Sequence, residues 1–261
     1  MRDDRRLALP PELAAGLEGW SYRRITGGWS GAESFRLAKP GERPRYLKID
    51  PRPESELRAE YERMTWLAGR LPVPRVYAFT EWEGRQYLLV SSLPGRDASD
   101  SFYARDLSRL ARLLAEGMRR FHALPVAECP FDHRLDALIE EARQRTRAGL
   151  VDETQFDDVR LGRTARDLLD ELEQTRPASE DLVVAHGDYC LPNVMIARGR
   201  ISGFVDLGRA GVSDRHRDLA LAARSLIYNH SADWVPLLFE EYGLEPDPQK
   251  LEFYQLLDEF F

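Results

Sequence analysis

The run Leu182-Val183-Val184-Ala185-His186-Gly187-Asp188, followed by Asn193 and then by Gly203-Phe204-Val205-Asp206-Leu207-Gly208, decides how the chain reads. Four residues separate Asp188 from Asn193, and twelve separate Asn193 from Asp206. The three polar residues accompany short strand-like apolar runs, so they fall on adjacent loop ends. Two carboxylates and a carboxamide are hard oxygen donors. Such a set suits Mg²⁺, which takes one or two carboxylates together with substrate phosphates. With Asn193 and Asp206 on the metal, Asp188 is left to orient an attacking hydroxyl. Singly, Asp188 and Asn193 read as turn residues capping strands. At these spacings and in this context, the three read together as a site.

The same order, an Asp as base and then an Asn and a later Asp on Mg²⁺, is that of the catalytic and metal loops of kinases. A second signal lies upstream. Lys48 ends the apolar strand Tyr46-Leu47-Lys48-Ile49, and Glu60 stands on the helix expected over Glu54 to Ala68. At about 100° per residue, Glu60 falls between Leu67 and Met64, inside the apolar stripe. A carboxylate there needs a partner, and Lys48 is the candidate. Such a Lys–Glu pair serves the α- and β-phosphates in kinases. The alternative is a solvated Glu at the stripe edge beside a snorkelling Lys. Gly27-Gly28-Trp29-Ser30-Gly31-Ala32 has the small residues that let amides approach phosphate. It matches neither the G-x-G-x-x-G nor the P-loop spacing, and it reads equally as a hairpin turn.

Further outward, the chain divides by texture. Residues 1–91 read as a β-rich lobe with strands between Tyr22 and Leu37, at Arg45 to Ile49, and in a hairpin around Glu81-Trp82-Glu83-Gly84. Ser92-Leu93-Pro94-Gly95 reads as a linker. Residues 92–261 read as mainly helical, with helices over Leu107 to Phe121, Arg134 to Ala148, Leu161 to Glu173, Asp214 to Tyr228, Asp233 to Tyr242 and Pro248 to Phe260. The expectation is an α+β, two-lobed fold with a ligand between the lobes.

Composition narrows the partners. The 261 residues carry 37 Lys and Arg against 44 Asp and Glu, a net charge of −7, with 43% apolar and 31% charged residues. That is a globular composition. The acidic balance argues against nucleic acid. No apolar run is long enough for a membrane span, and Met1-Arg2-Asp3-Asp4-Arg5-Arg6 does not open a signal peptide. Two cysteines, Cys129 and Cys190, are too few for a disulfide framework. A cytoplasmic protein, monomeric or weakly dimeric, is expected. Between Asp152 and Asp181 there are ten acidic residues against four arginines. Most belong to a solvated surface. Asp157 and Asp158 sit in an irregular segment, where binding residues concentrate, and clustered carboxylates favour a cationic ligand. Cys190 reads as packing, His122 as a satisfied core histidine, His186 as a brace for the Asp188 loop, and Arg215, His216 and Arg217 as a solvated helix start.

These residues together resemble the aminoglycoside 3′-phosphotransferases, the bacterial kanamycin and neomycin kinases. The likeness runs through Tyr46-Leu47-Lys48, Glu60, residues 182–188, Cys190-Leu191-Pro192-Asn193 and residues 203–209, and closes with Phe253-Tyr254-Gln255-Leu256-Leu257-Asp258-Glu259-Phe260-Phe261. The nucleotide motif fits any kinase-like phosphotransferase. The last nine residues and the Gly208-Arg209 pair are specific to this family. The resemblance implies a protein-kinase-like fold that binds ATP and two Mg²⁺ ions. It puts Tyr46 against adenine, with backbone groups of Ser91 and Leu93 on its edge. It puts Ser30 over the β-phosphate, Lys48 held by Glu60 on the α- and β-phosphates, and Asn193 and Asp206 on the metals. Asp188 would position the drug 3′-hydroxyl. Asp157, Asp158, Glu259 and the carboxylate of Phe261 would take its ammonium groups, with Arg209 beside the catalytic loop. Ser225, Tyr228 and Asn229 stand where family members often carry substrate-facing acids, which bears on the drug spectrum. Trp29 is bulky for a phosphate loop. Two other readings are a kinase for another small hydroxyl compound and a catalytically silent nucleotide-binding module. The intact Asp188, Asn193 and Asp206 set argues against the second.

Overall fold

The computed structural model describes residues 7–25, 32–52 and 56–261. Ser30, the glycines around it and the start of the helix expected from Glu54 lie outside them. The chain is α+β and forms two compact units, Met1–Gly95 with Ser202–Gly208 and Arg96–Ile201 with Arg209–Phe261.

The first unit is built on an antiparallel sheet of β1 (Ser21–Ile25), β2 (Glu33–Ala38), β3 (Arg45–Asp50), β4 (Val76–Trp82) and β5 (Arg85–Ser91), ordered β1-β2-β3-β5-β4. The period-2 alternation of β3 decides what faces where. Leu47 and Ile49 are buried with Leu13, Leu17, Trp20, Phe35, Leu37, Tyr87 and Leu89, so Tyr46 and Lys48 project from the opposite face. A short helix, α1 (Pro11–Gly16), adds Leu13 to that core. The β4–β5 hairpin turns at Glu83 and Gly84, which both have positive φ (49° and 71°), the geometry that matches strand twist. Helix α2 (Leu57–Leu67) buries Leu57, Met64 and Leu67, with Glu60 among them.

The second unit holds β6 (Arg96–Asp97), α3 (Leu107–His122), α4 (Leu135–Ala148), α5 (Ala165–Gln174), β7 (Leu182–Ala185) and β8 (Val194–Ala197). Next comes β9 (Arg200–Phe204), on which the chain passes from this unit into the first. The second unit resumes with β10 (Gly211–Asp214), α6 (Arg215–Asn229), α7 (Val235–Tyr242) and α8 (Pro248–Asp258). Leu138, Ile139, Phe156, Leu168, Phe253 and Leu257 share one core. Among the described residues, no helix is long and apolar enough to cross a membrane.

Two expectations shift. Helix α5 begins at Ala165, not at Leu161. Thr164 caps it in a reciprocal box with Asp167, and that pair fixes a helix start more firmly than apolar spacing does. The start of α6 is not solvated. His216 and Arg217 are buried. The reason is Asp214, a fully buried N-cap whose carboxylate draws His216 Nδ1 to 2.7 Å and Lys250 Nζ to 2.6 Å. A buried charge needs partners of opposite sign. Sequence patterning also missed α1, the two-residue β6 and the four-residue β10.

Candidate active site

In the first unit, β3 and α2 bring Lys48 and Glu60 together. Lys48 Nζ donates to Glu60 Oε1 at 2.9 Å and Oε2 at 2.8 Å. It also donates to Asp206 Oδ1, which residues 202–208 carry within the same unit. Only 7% of Glu60 is exposed. Burial works against the Lys48 ammonium, but Asp206 and Glu60 overcome it and raise its pKa. Lys48 therefore stays charged. Burial first, and the nearby Asp206 charge, raise the Glu60 pKa, although Lys48 pulls it down. Asp206 has φ 55°, a left-handed conformation that asparagine and aspartate tolerate best and that gathers at functional sites. The segment before it is pinned by Phe204 N–H donating to Pro72 O at 3.0 Å. A Cβ on Gly203 would lie 2.4 Å from that carbonyl, so only glycine fits.

Tyr46 lies two residues from Lys48 on the same strand and face. At the end of β5, the Ser91 N–H donates to Arg75 O at 2.9 Å, and Ser91 Oγ accepts the Arg75 N–H at 2.9 Å. These two bonds fasten the end of β5 to the segment before β4.

In the second unit, β7 leads straight into His186-Gly187-Asp188. Asp218, on the first turn of α6, is fully buried beneath this loop. Its Oδ2 accepts the His186 N–H at 2.8 Å, and its Oδ1 accepts the Gly187 N–H at 2.8 Å. His122 Nε2 lies 2.9 Å from Oδ2, and His122 Nδ1 lies 2.8 Å from Tyr242 Oη. Burial alone would raise the Asp218 pKa. The His122 hydrogen bond and the charges and amide of its other neighbours outweigh it and hold the carboxyl below its usual range. Gly187 has φ 82°, and a Cβ there would sit 2.0 Å from Arg209 O. Asp188 itself is half-buried. Asn193 Nδ2 donates to Asp188 Oδ2 at 2.8 Å and to Asp188 O at 3.0 Å. With its nitrogen so engaged, Asn193 offers Oδ1, a hard oxygen, to a cation. That amide oxygen and the Asp206 carboxylate are the donor types that magnesium takes. His186 Nδ1 accepts the Asp188 N–H at 3.3 Å, which is a bracing contact.

The same unit gathers carboxylates and arginines at the end of α8. Arg224 donates to Asp258 and, at 3.1 Å, to Glu259 Oε1. Arg209 donates to Asp258 Oδ1 at 3.0 Å, and its guanidinium lies 5.5 Å from the Phe261 ring centroid. Glu259 Oε2 accepts the Asp157 N–H at 3.0 Å. Burial, reinforced by the Asp157 charge, pushes Glu259 up to about 7. Asp157 is itself committed. Its Oδ1 takes the N–H groups of Val159 and Arg160, and its Oδ2 takes the guanidinium of Arg160, which is 2% exposed and also reaches Glu252. Asp158 is exposed beside it.

Three participants escaped the sequence reading. They are Asp218, Arg160 and Arg224, to which the sequence analysis assigns no role. Demand was the missing signal. Two consecutive loop amides need an acceptor, and a dense carboxylate cluster needs counter-charge.

The profile of the phosphotransferase enzyme family matches residues 21–254. An aminoglycoside 3′-phosphotransferase of Streptomyces fradiae is 41% identical over 254 residues, covering 92% of this chain and 95% of that protein. The crystal structure of an aminoglycoside-3′-phosphotransferase of type VIII superposes with a TM-score of 0.88 at 36% identity, covering 96% of this chain and 97% of that one. The aminoglycoside phosphotransferase APH(3'')-Id from Streptomyces rimosus, in complex with ADP and streptomycin, superposes with a TM-score of 0.80 at 28% identity, covering 95% of each chain.

Proposed function

This chain belongs to the phosphotransferase enzyme family, and we propose that within it the protein transfers the γ-phosphoryl group of ATP to the 3′-hydroxyl of aminoglycoside antibiotics of the kanamycin and neomycin type, giving resistance to them. The observation that carries this reading is the Lys48 ammonium held between Glu60 and Asp206. It is a half-buried cation kept charged by two carboxylates, the provision a nucleotide polyphosphate calls for. Relatives named aminoglycoside 3′-phosphotransferase, at 41% identity over nearly the whole chain, support the acceptor.

In this reading residues 1–91 form the nucleotide-binding lobe and residues 92–261 the catalytic and substrate-binding lobe. Tyr46 lies against the adenine, the Ser91 carbonyl and Leu93 N–H hydrogen-bond its edge, and Ser30 covers the β-phosphate. Lys48 binds the α- and β-phosphates, with Glu60 fixing its rotamer. Asn193 and Asp206 hold Mg²⁺, which when bound neutralises phosphate charge. Asp188 accepts the hydrogen bond of the acceptor hydroxyl and orients its oxygen in line with the γ-phosphorus. A bond forms from that oxygen to phosphorus, the bond to the ADP oxygen breaks, and the hydroxyl proton passes to Asp188. Asp218 keeps the loop amides, and hence Asp188, in register. Asp158 and Glu259 take ammonium groups of the drug, Asp157 shapes the loop that presents Asp158, and Arg209 and Phe261 flank Asp258 and Glu259. The protein works in the cytoplasm, as a monomer or weak dimer.

The test is ADP release from Mg²⁺-ATP with kanamycin and with tobramycin, which lacks the 3′-hydroxyl, using Asp188→Ala as control. Turnover of kanamycin alone is expected. Turnover of tobramycin would move the transfer to another hydroxyl. Turnover of neither, with sugars or choline accepted instead, would move the enzyme to another small hydroxyl acceptor.

A further inference from the structure

The first unit holds a groove to which neither Lys48 nor its two carboxylate partners contribute. It has a volume of about 670 Å³ and runs between α2 and β4, the outer strand of the sheet. That is the size of a small-molecule site. Tyr61, Met64 and Thr65 of α2 stand on one side, and Arg75, Tyr77 and Phe79 on the other. Tyr61 and Phe79 stack nearly parallel, with ring centroids 4.8 Å apart.

The walls select for charge as well as for shape. Among the described residues, no acidic side chain lines the groove. Tyr77 falls at an irregularity of β4, where Val76 pairs with Val90 and Ala78 pairs with Leu89. Such a bulge re-aims a side chain. The Tyr77 ring is 42% exposed and meets two guanidinium groups, that of Arg45 at 4.4 Å from its centroid and that of Arg75 at 5.5 Å. Among the described residues, neither arginine has a carboxylate partner. Aromatic walls suit a planar apolar ring. Guanidinium groups without a counter-charge suit an anion attached to it.

The groove also adjoins both elements that hold Lys48. Glu60 precedes Tyr61 on α2. Pro72, in the groove wall, accepts the Phe204 N–H at 3.0 Å, two residues before Asp206. We propose that the groove is an effector site for a planar aromatic carboxylate, whose binding tightens the affinity of the protein for nucleotide. A ligand packed against both walls favours the arrangement in which Glu60 and Asp206 flank Lys48, and any ligand that favours one arrangement shifts the protein toward it. The site itself stands on the groove, and its effect on nucleotide rests on the role given to Lys48 above.

Calorimetry with 2-naphthoate as the probe tests this on wild type, Arg75→Gln and Thr65→Trp. Arg75 and Thr65 are exposed, so both variants should keep the wild-type melting temperature and the wild-type Kd for Mg²⁺-ATP measured without probe. Wild type should bind 2-naphthoate with a Kd of about 1 mM or tighter. Arg75→Gln should weaken it about fivefold at low salt and less at high salt, where the ion pair is screened. Thr65→Trp, which fills the groove, should abolish it. Saturating probe should lower the Kd of Mg²⁺-ATP about fivefold, and saturating Mg²⁺-ATP should tighten the probe by the same factor. Absence of 2-naphthoate binding, unchanged binding by Thr65→Trp, or a Kd of Mg²⁺-ATP that stays constant with probe would overturn the proposal. A Kd that rises with probe would overturn it too, by putting the probe in the nucleotide site. Failure of wild type to bind Mg²⁺-ATP at all would overturn the nucleotide reading instead, and probe binding alone would still decide the groove.

Discussion

Residues 1–95 carry 16 Lys and Arg against 13 Asp and Glu, whereas residues 96–261 carry 21 against 31. The first region has a cationic surplus and the second an anionic one, and each centres on the opposite arrangement of charge. In the first unit, one lysine is held by two carboxylates, Glu60 and Asp206. In the second, carboxylates at 157, 258 and 259 are held by Arg160, Arg209 and Arg224. A polyphosphate suits the first and a polycation the second. In both, a charge that a ligand would use, Lys48 in the first and Glu259 in the second, already has a partner inside the protein. Pairing offsets part of the cost of burying a charge and holds the side chain in one rotamer. It also means that a ligand must compete with a resident partner, which discriminates against weakly charged competitors.

The most severe test of this division is Asp188→Ala. It should lower kcat about 10³- to 10⁴-fold and leave the Kd of ATP and of drug nearly unchanged by calorimetry. A large change in either Kd would show that Asp188 belongs to a binding network and not to the transfer step. Lys48→Ala should cost about 10²- to 10³-fold in kcat/KM for ATP, with drug KM steady. If drug KM rose as far, the two regions would not be dividing their labour as their charges indicate.

Asp218→Ala probes the brace in place of the charges. It leaves the His186 and Gly187 amides without their acceptor and His122 without its anion. Thermal unfolding should show a loss of about 3 kcal/mol, accompanied by a fall in kcat that ATP saturation does not restore. An unchanged melting temperature would remove Asp218 from its role as the floor of the catalytic loop.

Glu259 gives the smallest effect and the sharpest sign. Its carboxyl is pushed up to about 7, so it is largely neutral at pH 6 and largely ionised at pH 8. Drug ammonium groups need the ion, so drug Kd should tighten about tenfold between those pH values. Glu259→Gln should abolish that dependence. The raised carboxyl also favours folding most below its unfolded pKa, and that contribution is lost as pH rises through about 7. Free-enzyme stability should therefore fall over the interval in which drug binding improves. Parallel trends in the two would break the link to Glu259.

Much of the nucleotide half was legible before folding. Lys48 at the end of an apolar strand, Glu60 inside an apolar helical stripe and the spacing of Asp188, Asn193 and Asp206 are local facts, because strand alternation and helical periodicity are properties of contiguous residues. The same residues, with the C-terminal nine, carried the likeness to the aminoglycoside kinases. What the chain could not disclose alone were partners far apart in sequence. Asp218 meets His186 and Gly187 across some thirty residues, Arg224 meets Asp258 and Glu259 across about as many, and Arg160 reaches Glu252 across ninety-two. Only the tertiary structure decided which arginines neutralise the acidic cluster and that Asp157 is spent on its own loop. The physical reason is that periodicity reports which face of an element is buried. Hydrogen-bond and charge satisfaction depends on which elements pack together, and only the folded chain settles that.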